Sequence, residues 1–298
     1  MNRKTMRIIL ISLLAAIFAV SVGMVIYNQI QYQKAIADAD EAAQLAGLHT
    51  SRQPETRPPA TSPPVETGAP ASAPPTETAV PTEEPPPVET MPSEWYLLPE
   101  EARDLVGLDL GALRAVNKDV AGWISIPGTI VSYPLIQGAN NQYYLRRNWK
   151  KQSITSGSIF MDAECSRDLT DFHTIIYGHR MRNETMFGTL KYYSRKSYWQ
   201  AHPSVYIVLE DAIYRYDIFA AHEVAVTSII YRLDLETNHL EEEFLQYCTG
   251  HSSLKTGLIP GAGDRILTLS TCTSTSSDTS RWVVHGVLAE VYDRTINQ

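Results

Sequence analysis

The chain divides by the rhythm of its apolar positions. Arg3, Lys4 and Arg7 precede an uncharged run from Ile8 to Ile30 dense in Ile, Leu, Val and Ala. About 20 such residues cross the hydrocarbon core of a bilayer as a helix, so the pattern predicts a transmembrane anchor over 8–30 behind a basic N-terminus, 1–7. Ala35-Ile36-Ala37 also resembles a small-x-small cleavage site, but the apolar core of a signal peptide usually spans only about 7–15 residues. Basic residues lead the run and none follows before Lys34, which predicts a cytoplasmic N-terminus and an exported remainder. Residues 31–48, rich in Ala and Gln, can continue the helix above the membrane. From 49 to 93 no period survives: 13 of the 18 prolines lie between Pro54 and Pro92, among Thr, Ser, Glu and Ala. With almost nothing apolar to bury, residues 31–93 read as a juxtamembrane segment and a disordered spacer that gives the folded part reach. Its composition also suits O-linked sugars.

The globular part, 94–298, changes period again. Leu105, Leu108, Leu110, Leu113 and Val116 have helical spacing over 101–117, weakened by Gly107 and Gly111. Beyond Val120 the signal is short and β-branched. Strands are expected over 122–126, 130–136, 157–161, 174–177, 204–210, 212–221, 265–270 and 281–291, with helices over 184–193 and 236–248. Many short strands and few helices predict a closed or nearly closed β-barrel with helices decorating it, and about 205 residues suffice for one such core.

Charge narrows the partners. The net charge is −8, and from Glu94 onward 19 basic residues face 24 acidic ones, a net of −5. A nucleic-acid binder would show a basic face instead. There are three cysteines: Cys165 in a polar loop, Cys248 in a helical stretch and Cys272. In an exported protein they form one disulfide and a spare, or three thiols.

Cys272 stands apart by its setting. Thr268-Leu269-Ser270-Thr271-Cys272 closes one apolar run and Arg281-Trp282-Val283-Val284-His285 opens the next, with a loop of small polar residues between them. If the two runs form a hairpin, Cys272 and Arg281 meet across its mouth. A guanidinium there stabilises a thiolate and donates hydrogen bonds to an oxyanion; an arginine capping a strand over a buried cysteine is the plainer alternative. A thiol nucleophile also needs a proton partner. Of eight histidines, His49 lies in the spacer, and His202, His239 and His251 sit in loop or helix-edge contexts. His173 precedes a strand among acidic residues, while His222 ends a strand and His285 lies within one. His179 follows the apolar strand Thr174–Tyr177 and Gly178, where an imidazole can lean over a barrel rim.

These segments together resemble the sortases, most closely class B. Thr268-Leu269-Ser270-Thr271-Cys272 matches the family's T-L-x-T-C signature, and Arg281–His285 its arginine-bearing strand. Thr174–His179 is similar to its histidine segment and Met186–Leu190 to the sequel. Gly122-Trp123-Ile124, Ile126–Thr129, Tyr133-Pro134, Tyr143–Leu145 and Gly157–Asp162 resemble further segments, so the likeness spans 94–291. Ile130 and Ser132 depart from it mildly. The resemblance implies an eight-stranded barrel that works as a cysteine transpeptidase on the outer face of a Gram-positive membrane. Cys272 would attack the threonine carbonyl of a sorting motif, His179 would act as acid and then base, and Arg281 would hold the oxyanion. Thr271, with Ser270 beside it, would help position substrate, and a helix over 234–248 would fill the class B place between strands six and seven. The implied partners are surface proteins bearing a sorting signal, a cell-wall precursor amine (lipid-linked or peptidoglycan) and the membrane. No cofactor and no metal is implied.

Three alternatives stand beside this reading. A papain-type peptidase would place its Cys before its His, whereas His179 precedes Cys272. A tethered binding module fits the Pro/Thr stalk, but a wall-anchored adhesin would end in an apolar helix and basic tail, unlike 291–298. A pilus-assembling sortase often carries an Asp-Pro-aromatic lid, which Ser93-Glu94-Trp95-Tyr96 does not match; attachment of one or a few proteins is expected.

Overall fold

The structure, a computed structural model, describes residues 3–48, 98–272 and 279–294. The expected spacer and lid positions, and the loop from Thr273 to Asp278, lie outside the described residues. Eight strands close a barrel: β1 Val120–Ser125, β2 Ser132–Ile136, β3 Ile159–Met161, β4 His173–Tyr177, β5 Ser204–Val208, β6 Ala212–Ala225, β7 Ile266–Cys272 and β8 Ser280–Asp293. Their order around the barrel is β1-β2-β3-β4-β7-β8-β6-β5. The helices are α1 Arg3–Leu45, α2 Leu110–Val116, α3 Lys196–Ala201 and α4 Asn238–His251.

One pairing governs the functional end. β4 and β7 lie side by side and parallel, from His173↔Ile266 to Tyr177↔Ser270. Antiparallel neighbours put opposite ends at one rim, whereas parallel neighbours put both C-terminal ends there. β8 then runs antiparallel to β7, from Ile266↔Val287 to Cys272↔Arg281. The ends of β4 and β7 and the start of β8 therefore share a rim. Residues 178–265, including β5, β6 and α4, make the crossover that a parallel pair requires.

The core lies in three places. Inside the barrel, Leu267, Leu269, Ile176, Phe187, Ile207 and Val284 are buried together. Outside it, Leu105, Leu110 and Leu113 join Trp123, Tyr144 and Trp149 with the last turns of α1. On a third face Phe244, Leu245 and Cys248 of α4 cover Phe219, Ala220 and Val283. A helix laid over the outer wall explains why all six residues of β1 are buried rather than alternating. Side-chain caps start two of the helices. Asp109 accepts from the Ala112 amide at 2.8 Å before α2, and Thr237 from Leu240 at 3.4 Å before α4. Helix α4 lies between β6 and β7, where the class B resemblance puts one.

Two helical expectations change. The stretch 101–117 divides into a 3-10 turn, Glu100–Leu105, and α2. The break falls at Gly107, where a residue without a side chain weakens a helix. No helix spans 184–193. Glu184 and Met186 take φ of 68° and 57° there, which a right-handed helix cannot contain, and only Leu190–Ser194 coils as a 3-10 turn. Helix α3 was not anticipated. It is anchored by Trp199, whose indole donates to the Ile218 carbonyl at 3.0 Å.

Candidate active site

His179 stands two residues beyond Tyr177 on β4, and Cys272 two residues beyond Ser270 on β7. Since Tyr177 and Ser270 are paired, the two lie level on adjacent strands. The Gly178 amide donates to the Ser270 carbonyl at 3.2 Å, which carries the pairing one step further toward the rim. Arg281 is paired directly with Cys272 from the other side. Three strands thus bring His179, Cys272 and Arg281 into one row, although 92 residues separate the first two.

The local sequence holds the histidine in place. Gly178 is required by crowding: a Cβ there would come within 2.5 Å of Ile159 Cδ1 and 2.6 Å of the Phe187 ring. Its φ is not in the left-handed region, so close packing rather than backbone freedom selects glycine. The His179 carbonyl accepts from the Phe187 amide at 3.0 Å, and the Met186 amide donates to the Tyr133 hydroxyl at 3.0 Å. These bonds pin the chain on both sides of the Arg180–Met186 bridge.

The half-buried ring of His179 is oriented by a backbone group. Its Nε2 lies 2.7 Å from the Leu145 carbonyl oxygen. A carbonyl can only accept, so Nε2 carries a proton, and in the neutral ring the lone pair is on Nδ1. Among the described residues no carboxylate bonds to this ring. The Leu145 carbonyl is backed by Gly157, whose φ is 58°; a Cβ at that position would lie 2.6 Å from the same oxygen. Neither Leu145 nor Gly157 is marked by residue chemistry as part of a proton-transfer site. Both fall in segments that carry the family resemblance, but a main-chain acceptor has no signature of its own.

The remaining expected site residues are placed as follows. Arg281 is half-buried, and its Nη1 donates to the Ser280 carbonyl at 2.9 Å. Ser270 is buried, with Oγ 2.9 Å from the Tyr231 hydroxyl. Thr271 is buried too, and its Oγ1 has no partner among the described residues. Both hydroxyls are below the surface.

The other two cysteines are unsuited to nucleophilic work. Cys165 and Cys248 are free and buried, which excludes a disulfide between them. Burial pushes the Cys165 thiol up to about 12 and raises that of Cys248 as well. Of the remaining histidines, His202 is half-buried, its Nδ1 donating to the Pro127 carbonyl at 2.9 Å. His173, His222 and His285 are buried.

This row of cysteine, histidine and arginine on a closed barrel can be compared with known proteins. A family model described as a sortase domain matches residues 124–289, more than half of the chain. The chain belongs to the sortase family. Sortase B of Listeria monocytogenes serovar 1/2a is 35% identical over 191 residues, covering 63% of this chain and 75% of that protein. Sortase B of Staphylococcus aureus is 29% identical over 192 residues, covering 64% and 79%. A solved Staphylococcus aureus sortase B–substrate complex superposes with a TM-score of 0.57 at 31% identity, covering 60% of this chain and 84% of that one. Clostridium perfringens sortase B gives the same TM-score at 29% identity, covering 61% and 100%. The family's members are cysteine transpeptidases and the relatives are class B, in agreement with the resemblance read from the motifs.

Proposed function

We propose that this sortase is a membrane-anchored transpeptidase that cleaves a C-terminal sorting motif after threonine and transfers the cut protein to a cell-wall amine. The carrying observation is the row formed by His179, Cys272 and Arg281 across β4, β7 and β8. In the proposed reaction the Cys272 thiolate attacks the threonine carbonyl. The carbonyl electrons move to oxygen, and Arg281 stabilises that oxyanion with its forked donors. As the C–N bond breaks, protonated His179 gives its proton to the departing amine, leaving a thioacyl enzyme. A nucleophilic amine then attacks the thioester. Neutral His179 takes the amine's proton, the C–S bond breaks and a new amide leaves. The Leu145 carbonyl supports this cycle by holding the proton on Nε2, so that Nδ1 exchanges protons. Ser270 and Thr271 contribute through the main chain of β7, since their hydroxyls are buried.

The anchor reading rests on α1, whose apolar segment from Leu10 onward is exposed and long enough to span a bilayer. The N-terminus is then cytoplasmic and the barrel extracellular. Attachment of one or a few surface proteins is favoured over pilus assembly. A peptide-library cleavage assay, with mass spectrometry of the transfer product, tests the function. Thioester-dependent transfer to an amine nucleophile is expected. A pilus-type enzyme would instead prefer a lysine within a folded protein, and a tethered binding module would bind peptide without cutting it.

A further inference from the structure

We infer that α1 is a rigid strut that seats the catalytic rim at the headgroup layer of an anionic membrane, and that the connection from Leu48 to Leu98 is not the tether. This inference rests on the membrane-anchored reading. Helix α1 is unbroken from Arg3 to Leu45. Its apolar run ends at Ile30, and contact with the barrel begins at once. Gln31 and Tyr32 are half-buried, then Ala35, Ala39, Ala42 and Ala46 are buried. Spacings of four, three and four residues put these alanines on one helical face, and their small side chains let the helix lie close against the wall. Polar contacts lock the seat. The Trp149 indole donates to the Asp38 carbonyl at 3.0 Å, Asn148 Nδ2 donates to Asp38 Oδ2 at 2.7 Å, and Lys150 Nζ lies 2.6 Å from Glu41 Oε2. The Asp109 amide donates to the Ala46 carbonyl at 3.1 Å.

The two ends of the spacer decide its mechanical place. Leu48 and Leu98 are buried in the same apolar cluster. The chain therefore leaves that core and re-enters it, and the load path from membrane to barrel runs through α1. This departs from the expectation that the Pro-rich segment provides reach.

Height follows from helix geometry. Ala35 is five residues past Ile30, about 7.5 Å along the axis at 1.5 Å per residue. Headgroup layers add roughly 5–8 Å to each side of the hydrocarbon core. The histidine edge of the site is close to this level. Gly157 and Met186 share a cleft with Ala35 and Asp38. Gly157 backs the Leu145 carbonyl that holds His179, and Met186 bridges to Arg180. The composition of this face fits anionic lipid. From Val120 to Met161 an otherwise acidic domain has four basic residues and no acidic one; Lys150 and Lys151 are ion-paired to Glu41 and Asp119, so the charge offered to a headgroup is that of the exposed Arg146 and the half-buried Arg147. Tyr143 and Leu145 are exposed beside them, and the Arg147 guanidinium lies 4.4 Å from the Tyr143 ring centroid. Basic residues flanked by aromatic and aliphatic ones suit a headgroup surface.

The test uses the full chain in vesicles of phosphatidylcholine and phosphatidylglycerol. A fluorophore is placed at Arg182→Cys in a Cys272→Ala background, since Cys165 and Cys248 are buried. Headgroup-labelled lipid should quench it strongly. Replacing 49–97 with a short Gly/Ser loop should leave the quenching unchanged. Inserting about 12 Gly/Ser residues after Ile30, with an r.m.s. reach of about 20 Å, should abolish most of it. With Cys272 intact, the same insertion should leave turnover of a soluble peptide unchanged and slow transfer to a lipid-held amine about tenfold. A label that stays dark to the quencher in vesicle-bound protein, or quenching that follows spacer length, would overturn the strut. Failure of the chain to float with vesicles would overturn the anchor reading and the strut together.

Discussion

The same three strands carry histidine chemistry at two levels, one at the rim and one in the middle. At the rim His179 is half-buried and level with Cys272. Farther down, a polar belt crosses β4, β7, β8 and β6 beneath α4. His173 Nδ1 is 3.1 Å from the Arg232 carbonyl, which makes that nitrogen a donor and leaves Nε2 to accept from Thr268 Oγ1 at 2.8 Å. Thr268 Oγ1 then accepts from His285 Nδ1 at 2.8 Å. Acceptance at Nε2 requires the His173 ring to be neutral, and burial agrees. It holds His173 and His222 down at about 4 and lowers His285 well below the usual histidine range. The contrast teaches that residue type does not make an imidazole a reagent. The half-buried ring at the rim has one nitrogen fixed and the other available, whereas a fully buried ring under a helix is held neutral. Burial likewise keeps Cys165 and Cys248 protonated.

This contrast can be broken most severely at the rim. Cys272→Ala should reduce cleavage of a sorting-motif peptide by at least about a thousandfold with the fold intact, as circular dichroism would verify; residual turnover would move the nucleophile elsewhere. His179→Ala should cost about 10²–10⁴-fold in kcat/KM. Near-normal rates would draw attention to the belt histidines instead. Arg281→Lys keeps the charge but loses the fork, and should slow the reaction on the order of a hundredfold. Wild-type behaviour there would remove the oxyanion argument.

The belt should respond in stability rather than in rate. His173 and His222 are neutral in the folded protein down to about pH 4, while the unfolded chain takes up protons as pH falls through about 6.5. Stability is therefore complete above pH 6.5, declines on acidification and levels off below about 4, with each ring contributing up to about 3 kcal/mol. Both His222 nitrogens lack partners among the described residues. His222→Leu should accordingly flatten the urea midpoint between pH 7 and 5, with little change in turnover at pH 7.5. An unaltered pH slope would show that this ring is not the source.

Much of the site was legible because sortase motifs sit at strand ends. The runs flanking Cys272 and Arg281 read as a hairpin, and a hairpin alone suffices to pair them. His179 was weaker from residues alone, because the proximity of β4 to β7 depends on a crossover of 88 residues, from 178 to 265. Gly178 could be noticed, but its reason could not: Ile159 and Phe187 crowd it from other segments. The helix expected over 184–193 failed because Glu184 and Met186 adopt left-handed backbone that their side chains do not announce. The belt is not visible along the chain, since Thr268 links His173 and His285 only once three strands lie side by side.

By itself the order of residues determined the apolar span, the period-two segments and the candidates for nucleophile, acid–base and oxyanion donor, because each is local along the chain. Tertiary structure alone decided which histidine lies level with the cysteine, which main-chain oxygen fixes its tautomer and where α1 comes to rest. Those outcomes depend on the register of non-adjacent strands and on which surfaces exclude water, and neither is a property of any one segment.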